Sequence, residues 1–355
     1  MSMTANSQRG VALLTILLLV VSITVVAGSM LASQKIAIRR SGLLFDQNQL
    51  LQDIDAGQQL ALTMIRADSN INDTDSAQDI WAQPIPPYAL ASHSVSVELR
   101  DESGRFNINN LYQDGSANTT ALAVLQRLLT QLNLEPDIAI AILDWQDADG
   151  EVYQDGGDES TVYAQQSNAV ATDALPNQPF VSIDQLLEVT GVSAETLAVL
   201  RPYLTAVPYY VPININTASP VLLAALMDGA NSQQMQSLVD MRAQQALTSI
   251  DAVWQLPIFG SVNDEQRKAL TPMLAVDSQA FMALITATDN ATVGQARERF
   301  ATVLISKTVV DNNQAVNSSQ TANNNQASNS SGVDGKMPKE VKVVTQRLWA
   351  FRPSF

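Results

Sequence analysis

The chain has no cysteine, a single histidine and few aromatic residues, and its 20 basic residues are outnumbered by 35 acidic ones. Without cysteine there are no disulfides, no thiolate catalysis and no Cys-based zinc or iron–sulfur centre. One histidine, His93, rules out a multi-histidine metal site. A net charge of −15 over 355 residues argues against nucleic acid as a partner, because phosphate affinity needs clustered Lys and Arg. The length suffices for an anchor and two modest domains. Charge is also missing locally: none occurs between Arg9 and Lys35.

That uncharged stretch follows a short polar leader ending in Gln8-Arg9-Gly10. A secretory signal places its cleavage site beyond the apolar core; here the candidate processing site, between Gly10 and Val11, precedes it. The arrangement resembles the type IV prepilin and pseudopilin signal, in which residues 1–10 are removed. Val11 to Ala32 is 22 residues long, with Thr15, Ser22, Thr24 and Ser29 as its polar members. At about 1.5 Å per residue it reaches roughly 33 Å, enough to cross a bilayer core. Only Arg9 precedes the span, whereas Lys35, Arg39 and Arg40 follow it, so the positive-inside rule alone favours the opposite orientation. The leader and the acidic downstream region point to a C-terminal domain outside the cytoplasm.

The expected organisation is a transmembrane helix over 11–34 and an amphipathic stalk helix over 35–68. Leu43/Leu44, Leu51, Ile54, Ala61/Leu62 and Ile65 would form the stalk's apolar stripe. After an Asp-rich connector and a Pro-rich turn, alternation at Val95, Val97 and Leu99 predicts a half-buried strand. Alternation returns at Phe281, Ala283 and Ile285, in 300–307 and in 341–349. The fold class is therefore α+β: a pilin-like long helix, a small antiparallel sheet begun by 69–108 and completed by 277–355, and an all-α insert over 109–276. The Asn/Ser/Gln-rich stretch 311–338 reads as a disordered loop. His93, among Ser92, Ser94 and Ser96, reads as an edge or surface histidine rather than part of a Ser/His/Asp triad.

The insert repeats itself. Phe106-Asn107-Ile108-Asn109 returns as Ile213-Asn214-Ile215-Asn216, 107 residues on. Ile142-Leu143-Asp144-Trp145 returns as Leu238-Val239-Asp240-Met241, 96 on; Ser182-Ile183-Asp184 as Ser249-Ile250-Asp251, 67 on; Arg201-Pro202-Tyr203-Leu204 as Thr271-Pro272-Met273-Leu274, 70 on. The first copy thus holds about 29 extra residues between Trp145 and Ser182. Each unit ends in helix, turn and helix, with Gly191 and Gly260 in the turns, which looks like tandem helix-hairpin-helix or SAM-like units. With one Gly per hairpin and an acidic surface, a structural use is expected.

The extra residues form an acidic loop over 144–160. From Leu128 to Leu200 there are thirteen carboxylates and no Lys or Arg. Such a loop needs a counterion to fold, and hard oxygen donors on a Gly-containing loop suit Ca²⁺. The expected ligands are Asp147, Asp149, Glu151, Asp155, Asp158 and Glu159; Asp144 is less secure, because its repeat partner Asp240 has no acidic loop beside it. The spacing is not that of an EF-hand. Paired carboxylates on a Gly-rich surface loop offer no apolar cleft for acid–base chemistry, so no catalysis is expected.

Taken with the leader at Gly10, the helical insert and the Asp144-Trp145-x-Asp147-x-Asp149 segment resemble the K-type minor pseudopilins of type II secretion. In most pilins and pseudopilins the fifth mature residue is Glu, thought to neutralise a neighbour's N-terminal amine in the apolar filament core. Here that position is Thr15. K-type members similarly lack the Glu, and a subunit at the tip has no preceding neighbour to pair with. The resemblance implies a tip subunit that initiates pseudopilus assembly and assists export of folded proteins. Its implied partners are the I- and J-type minor pseudopilins, the prepilin peptidase, the inner-membrane secretion platform and inner-membrane lipid. It also implies cleavage after Gly10 and N-methylation of Val11, although family members often begin with Phe or Met. A minor pilin of a type IV pilus or DNA-uptake system, and a membrane-anchored binding ectodomain, are the alternatives.

Overall fold

A computed structural model describes residues 5–90, 92–147, 153, 177–289, 297–309 and 339–355. The 311–338 stretch, expected to be a disordered loop, lies outside the described residues. One helix, α1 (Ala5–Ile71), runs unbroken for 67 residues, about 100 Å. It passes through Gly10 and Val11 and ends three residues beyond the expected stalk. From Val11 to Phe45 its side chains are exposed. There the hydroxyls of Thr15, Ser22, Thr24 and Ser29 each donate to a carbonyl three or four residues back, so the span offers lipid no unsatisfied hydroxyl.

From Leu50 onward α1 lies on a sheet. Leu50, Ile54, Ala61, Leu62 and Ile65 are buried there, whereas Leu43, Leu44 and Leu51 are 40% exposed or more. Leu50, not Leu51, continues the stripe, and Leu43/Leu44 are not part of it. Asp46 meets Arg297, the first residue of a sheet strand, at 2.8 Å, so residues before it have passed the sheet's end. Gly57 sits where helix and sheet come closest: a Cβ there would lie 2.5 Å from Ile285 Cγ2 and 3.0 Å from Val95 Cγ1. In an open helix Gly→Ala gains about 1 kcal/mol. Here overpacking costs about 1–3 kcal/mol, so Gly57→Ala is expected to lower the thermal denaturation midpoint.

Strands β1 (Tyr88–Leu90) and β2 (His93–Asp101) precede the insert. Among the described residues, the insert holds six two-residue strands, β3 (Phe106–Asn107), β4 (Tyr112–Gln113), β5 (Ser116–Ala117), β6 (Leu204–Thr205), β7 (Ile213–Asn214) and β8 (Leu274–Ala275). β9 (Ala280–Asp289), β10 (Arg297–Val309) and β11 (Lys339–Trp349) follow it. The main sheet is antiparallel, in the order β1-β2-β9-β10-β11. β2 and β9 pair directly across the insert, Val97 against Ile285 and Leu99 against Ala283. The alternation places Val95, Val97, Phe281, Ala283, Ile285, Val303 and Ile305 against the α1 stripe, forming one core.

The insert has its own core and a twofold-repeated plan. Its helices among the described residues are α2 (Thr119–Gln131), α3 (Ile138–Asp144) and α4 (Ala194–Leu200), then α5 (Pro220–Ala225), α6 (Ser232–Gln244), α7 (Ile250–Trp254) and α8 (Asp264–Leu270). β3 pairs in parallel with β6, and β7 likewise with β8. In each half a buried asparagine closes the unit. Asn109 accepts from the Phe180 amide at 2.8 Å and donates to the carbonyls of Phe180 and Val207. Asn216 does the same with Leu247 and Val276. Gln146 and Arg242 also correspond, donating to the Ile108 and Ile215 carbonyls respectively.

Candidate functional site

Among the described residues, three places gather candidate residues: the anchor, the base of the acidic loop, and the neck joining insert to sheet. On the anchor, Thr15 donates its hydroxyl to the Ala12 carbonyl at 2.9 Å, so it is satisfied within its own helix. Gly10 and Val11 lie within α1, and Val11 is exposed.

At the acidic loop, Asp144 and Asp147 are both buried at its base. Asp144 is the last residue of α3, and its Oδ1 accepts from the Tyr153 amide at 3.1 Å. Its repeat partner Asp240 is instead exposed in mid-helix, bonded to Gln236. Trp145 stacks on Phe180, with ring centroids 5.8 Å apart and planes at 16°, which clamps the two ends of the loop together. The two buried carboxylates are hard oxygen donors of the kind that fit Ca²⁺. Asp149, Glu151, Asp155, Asp158 and Glu159, the rest of the expected shell, lie outside the described residues.

The neck is a polar network absent from the sequence reading. Asp101, the last residue of β2, accepts from the hydroxyls of Ser278 and Thr217 and from the Ser103 amide. Asn214 donates to the Ser278 hydroxyl and to the Asp75 carbonyl, and Ser278 donates its amide to the Asp75 carboxylate. Lys307, from β10, forms a fully buried ion pair with Asp75. Stalk connector, sheet and insert therefore meet on a handful of side chains. One signal was visible in the sequence: Lys307 stands alone among Val303, Leu304, Ile305, Val309 and Val310, and a buried lysine needs a carboxylate. His93 corrects an expectation. It is no surface histidine but bridges α1 to the sheet, Nδ1 being 2.9 Å from Asp53 and Nε2 3.9 Å from Asp289. Both partners come from other elements, which local sequence does not reveal.

Burial outweighs hydrogen bonding at Asp101 and pushes its carboxyl up to about 7; burial likewise raises Asp68 to about 6. A carboxyl that holds its proton more tightly when folded stabilises the fold at low pH and loses that contribution as pH rises through the folded-state value. The denaturation temperature should therefore fall as pH is raised from 5 to 8. Asp101→Asn, which mimics the protonated form, should flatten that slope in a pH series of thermal melts.

Comparison with known proteins follows the repeat. Family models described as type II secretion system (T2SS), protein K match residues 104–209 and 213–277. The type II secretion system protein K of Pseudomonas aeruginosa is 29% identical over 257 residues, 69% of this chain and 76% of that protein. The Klebsiella pneumoniae protein of the same name is 28% identical over 307 residues, 82% of this chain and 90% of that one. In fold, the chain resembles one in the GspK-GspI-GspJ complex of the enterotoxigenic Escherichia coli type 2 secretion system. The TM-score is 0.66 at 22% identity, covering 87% of this chain and 99% of that one.

Proposed function

The chain belongs to the type II secretion system protein K family, as a minor pseudopilin of that system, and we propose that it occupies the tip of the pseudopilus. There it initiates assembly and assists the export of folded proteins across the outer membrane. Thr15 carries the reading. A shaft subunit needs a carboxylate near its N-terminus to neutralise a neighbour's buried amine, since an uncompensated charge in an apolar filament is costly. Thr15 offers a hydroxyl already bonded to Ala12, and so asks for no such neighbour. The appended helical insert supports the same position, because a subunit at the end need not fit between stacked copies.

In this reading the prepilin peptidase cuts between Gly10 and Val11 and methylates Val11. The Val11–Ala32 span crosses the inner membrane once, and the sheet and insert are periplasmic. The complex in which the E. coli relative stands with GspI and GspJ supports I- and J-type minor pseudopilins as partners, next to the inner-membrane platform. Ca²⁺ in the acidic loop, held by Asp147, Asp149, Glu151, Asp155, Asp158 and Glu159 with Asp144 at its base, is structural: it neutralises the loop's carboxylates so that it can pack.

N-terminal sequencing of the membrane-extracted chain is expected to begin at Val11. Gly10→Ala should leave the leader attached and reduce exoprotein secretion to that of a strain lacking the protein. A start at Met1 or beyond Ala27, or normal secretion by Gly10→Ala, would refute the reading.

A further inference from the structure

Where the stalk meets the domain, three aspartates close on a space that neither the anchor nor the acidic loop involves. Asp68 lies in the last turn of α1, and Asp75 and Asp79 lie in the connector after it. One ligand oxygen from each lies within 4.8 Å of the other two. Asp68 and Asp75 are buried to 1% and 0% exposure, and Asp79 is half-buried.

Their hydrogen bonds are incomplete. Asp68 Oδ1 accepts from the Asn72 amide at 2.8 Å. Asp75 Oδ2 accepts from the Ser278 amide and from Lys307. Asp79 accepts from the Ser76 amide at 2.7 Å and, at 3.4 Å, from Asn72. Asp68 Oδ2 and Asp75 Oδ1 are buried with no donor among the described residues. Orphaned carboxylate oxygens at such depth are costly, and three carboxylates against one ammonium leave the space two charges short of neutrality.

We propose that Asp68, Asp75 and Asp79 hold one Ca²⁺, which joins the end of the stalk helix to the base of the helical insert. A dication brings the group to neutrality with Lys307 still on the other oxygen of Asp75. Oxygens bound to Ca²⁺ at 2.3–2.6 Å lie no more than about 5 Å apart, which the trio satisfies. All the side-chain ligands are hard oxygens, and Asn72, its amide turned over, adds another. Binding would order the connector that the insert grips: the Asp75 amide donates to the Val276 carbonyl, and its carbonyl accepts from Asn214.

The test is equilibrium dialysis of the full-length chain in detergent with radioactive Ca²⁺ after EGTA treatment. It uses the wild-type chain, an Asp149→Asn/Glu151→Gln/Asp155→Asn loop variant, and that variant with Asp68→Asn and Asp79→Asn added. The folded loop variant is expected to keep one ion per chain, and the combined variant to lose it. Retention of that ion by the combined variant overturns the proposal. Should the combined variant fail to fold, the loop variant decides: one ion, with a Ca²⁺-dependent rise in melting temperature, supports the site, and no ion overturns it. Acid-induced stabilisation without Ca²⁺ binding would mean that a proton on Asp68 fills the role, and also overturns it. A loop variant that binds as much as wild type removes the loop site while leaving this one standing.

Discussion

Lys307→Met is expected to destabilise the folded chain by about 3–5 kcal/mol, the cost of breaking a buried ion pair from one side. Lys307 is almost fully buried, its ammonium on Asp75 and 5.4 Å from the centroid of the Phe281 ring. Methionine keeps most of the side-chain volume, so little of the loss comes from packing. In the chain stripped of Ca²⁺, what remains is a group of three aspartates without an opposing charge, one of them fully buried against Ser278. Adding Asp75→Asn should recover part of the loss, since the buried charge then leaves with its partner, and lowering pH should recover part by protonation. Urea denaturation of the single and double variants measures both. A loss in the double variant equal to the sum of the Lys307→Met and Asp75→Asn losses would mean that the pair is not coupled.

What local patterning could and could not reveal follows from how far each feature reaches along the chain. The anchor, the stalk and the four long strands are written in periods of 3.6 and 2, and the structure has α1, β2, β9, β10 and β11 at those places. The stalk's register needed more: Leu50 rather than Leu51 faces the sheet, because Gly57 sets where helix and sheet touch. The repeated Asn107-Ile108-Asn109 and Asn214-Ile215-Asn216 segments were plain in the sequence, but their partners Phe180 and Leu247 lie 71 and 31 residues away. The neck was least legible. Asp75, Asp101, Asn214, Ser278 and Lys307 come from five segments, and each alone looks like an ordinary polar residue. His93 is the same case, with partners at Asp53 and Asp289. Gly10 and Thr15 are the opposite: the reading proposed for them rests on their spacing from each other and from the apolar run, which the sequence displays and the fold does not alter.

Asn109→Ala and Asn216→Ala should each cost about 3 kcal/mol, because each removes three hydrogen bonds and leaves a backbone amide and two carbonyls to be satisfied elsewhere. The two sites part company under Ca²⁺. Asn109 grips Phe180, which stacks on Trp145 beside Asp144 and so closes the acidic loop. Asn216 grips Leu247 in the unit that lacks the loop. If Ca²⁺ orders the loop, Asn109 and the ion act on the same closure. In a parent chain with Asp68→Asn and Asp79→Asn, where only the loop ion is left to strip, removing Ca²⁺ should then add less to the loss in Asn109→Ala than it does in the parent, while the effect of Asn216→Ala should simply add to that of the chelator. Melting curves of the three chains with and without EGTA separate these outcomes. Equal chelator effects in all three would show that the clamp and the acidic loop are independent, with the aromatic stack alone holding the loop ends together.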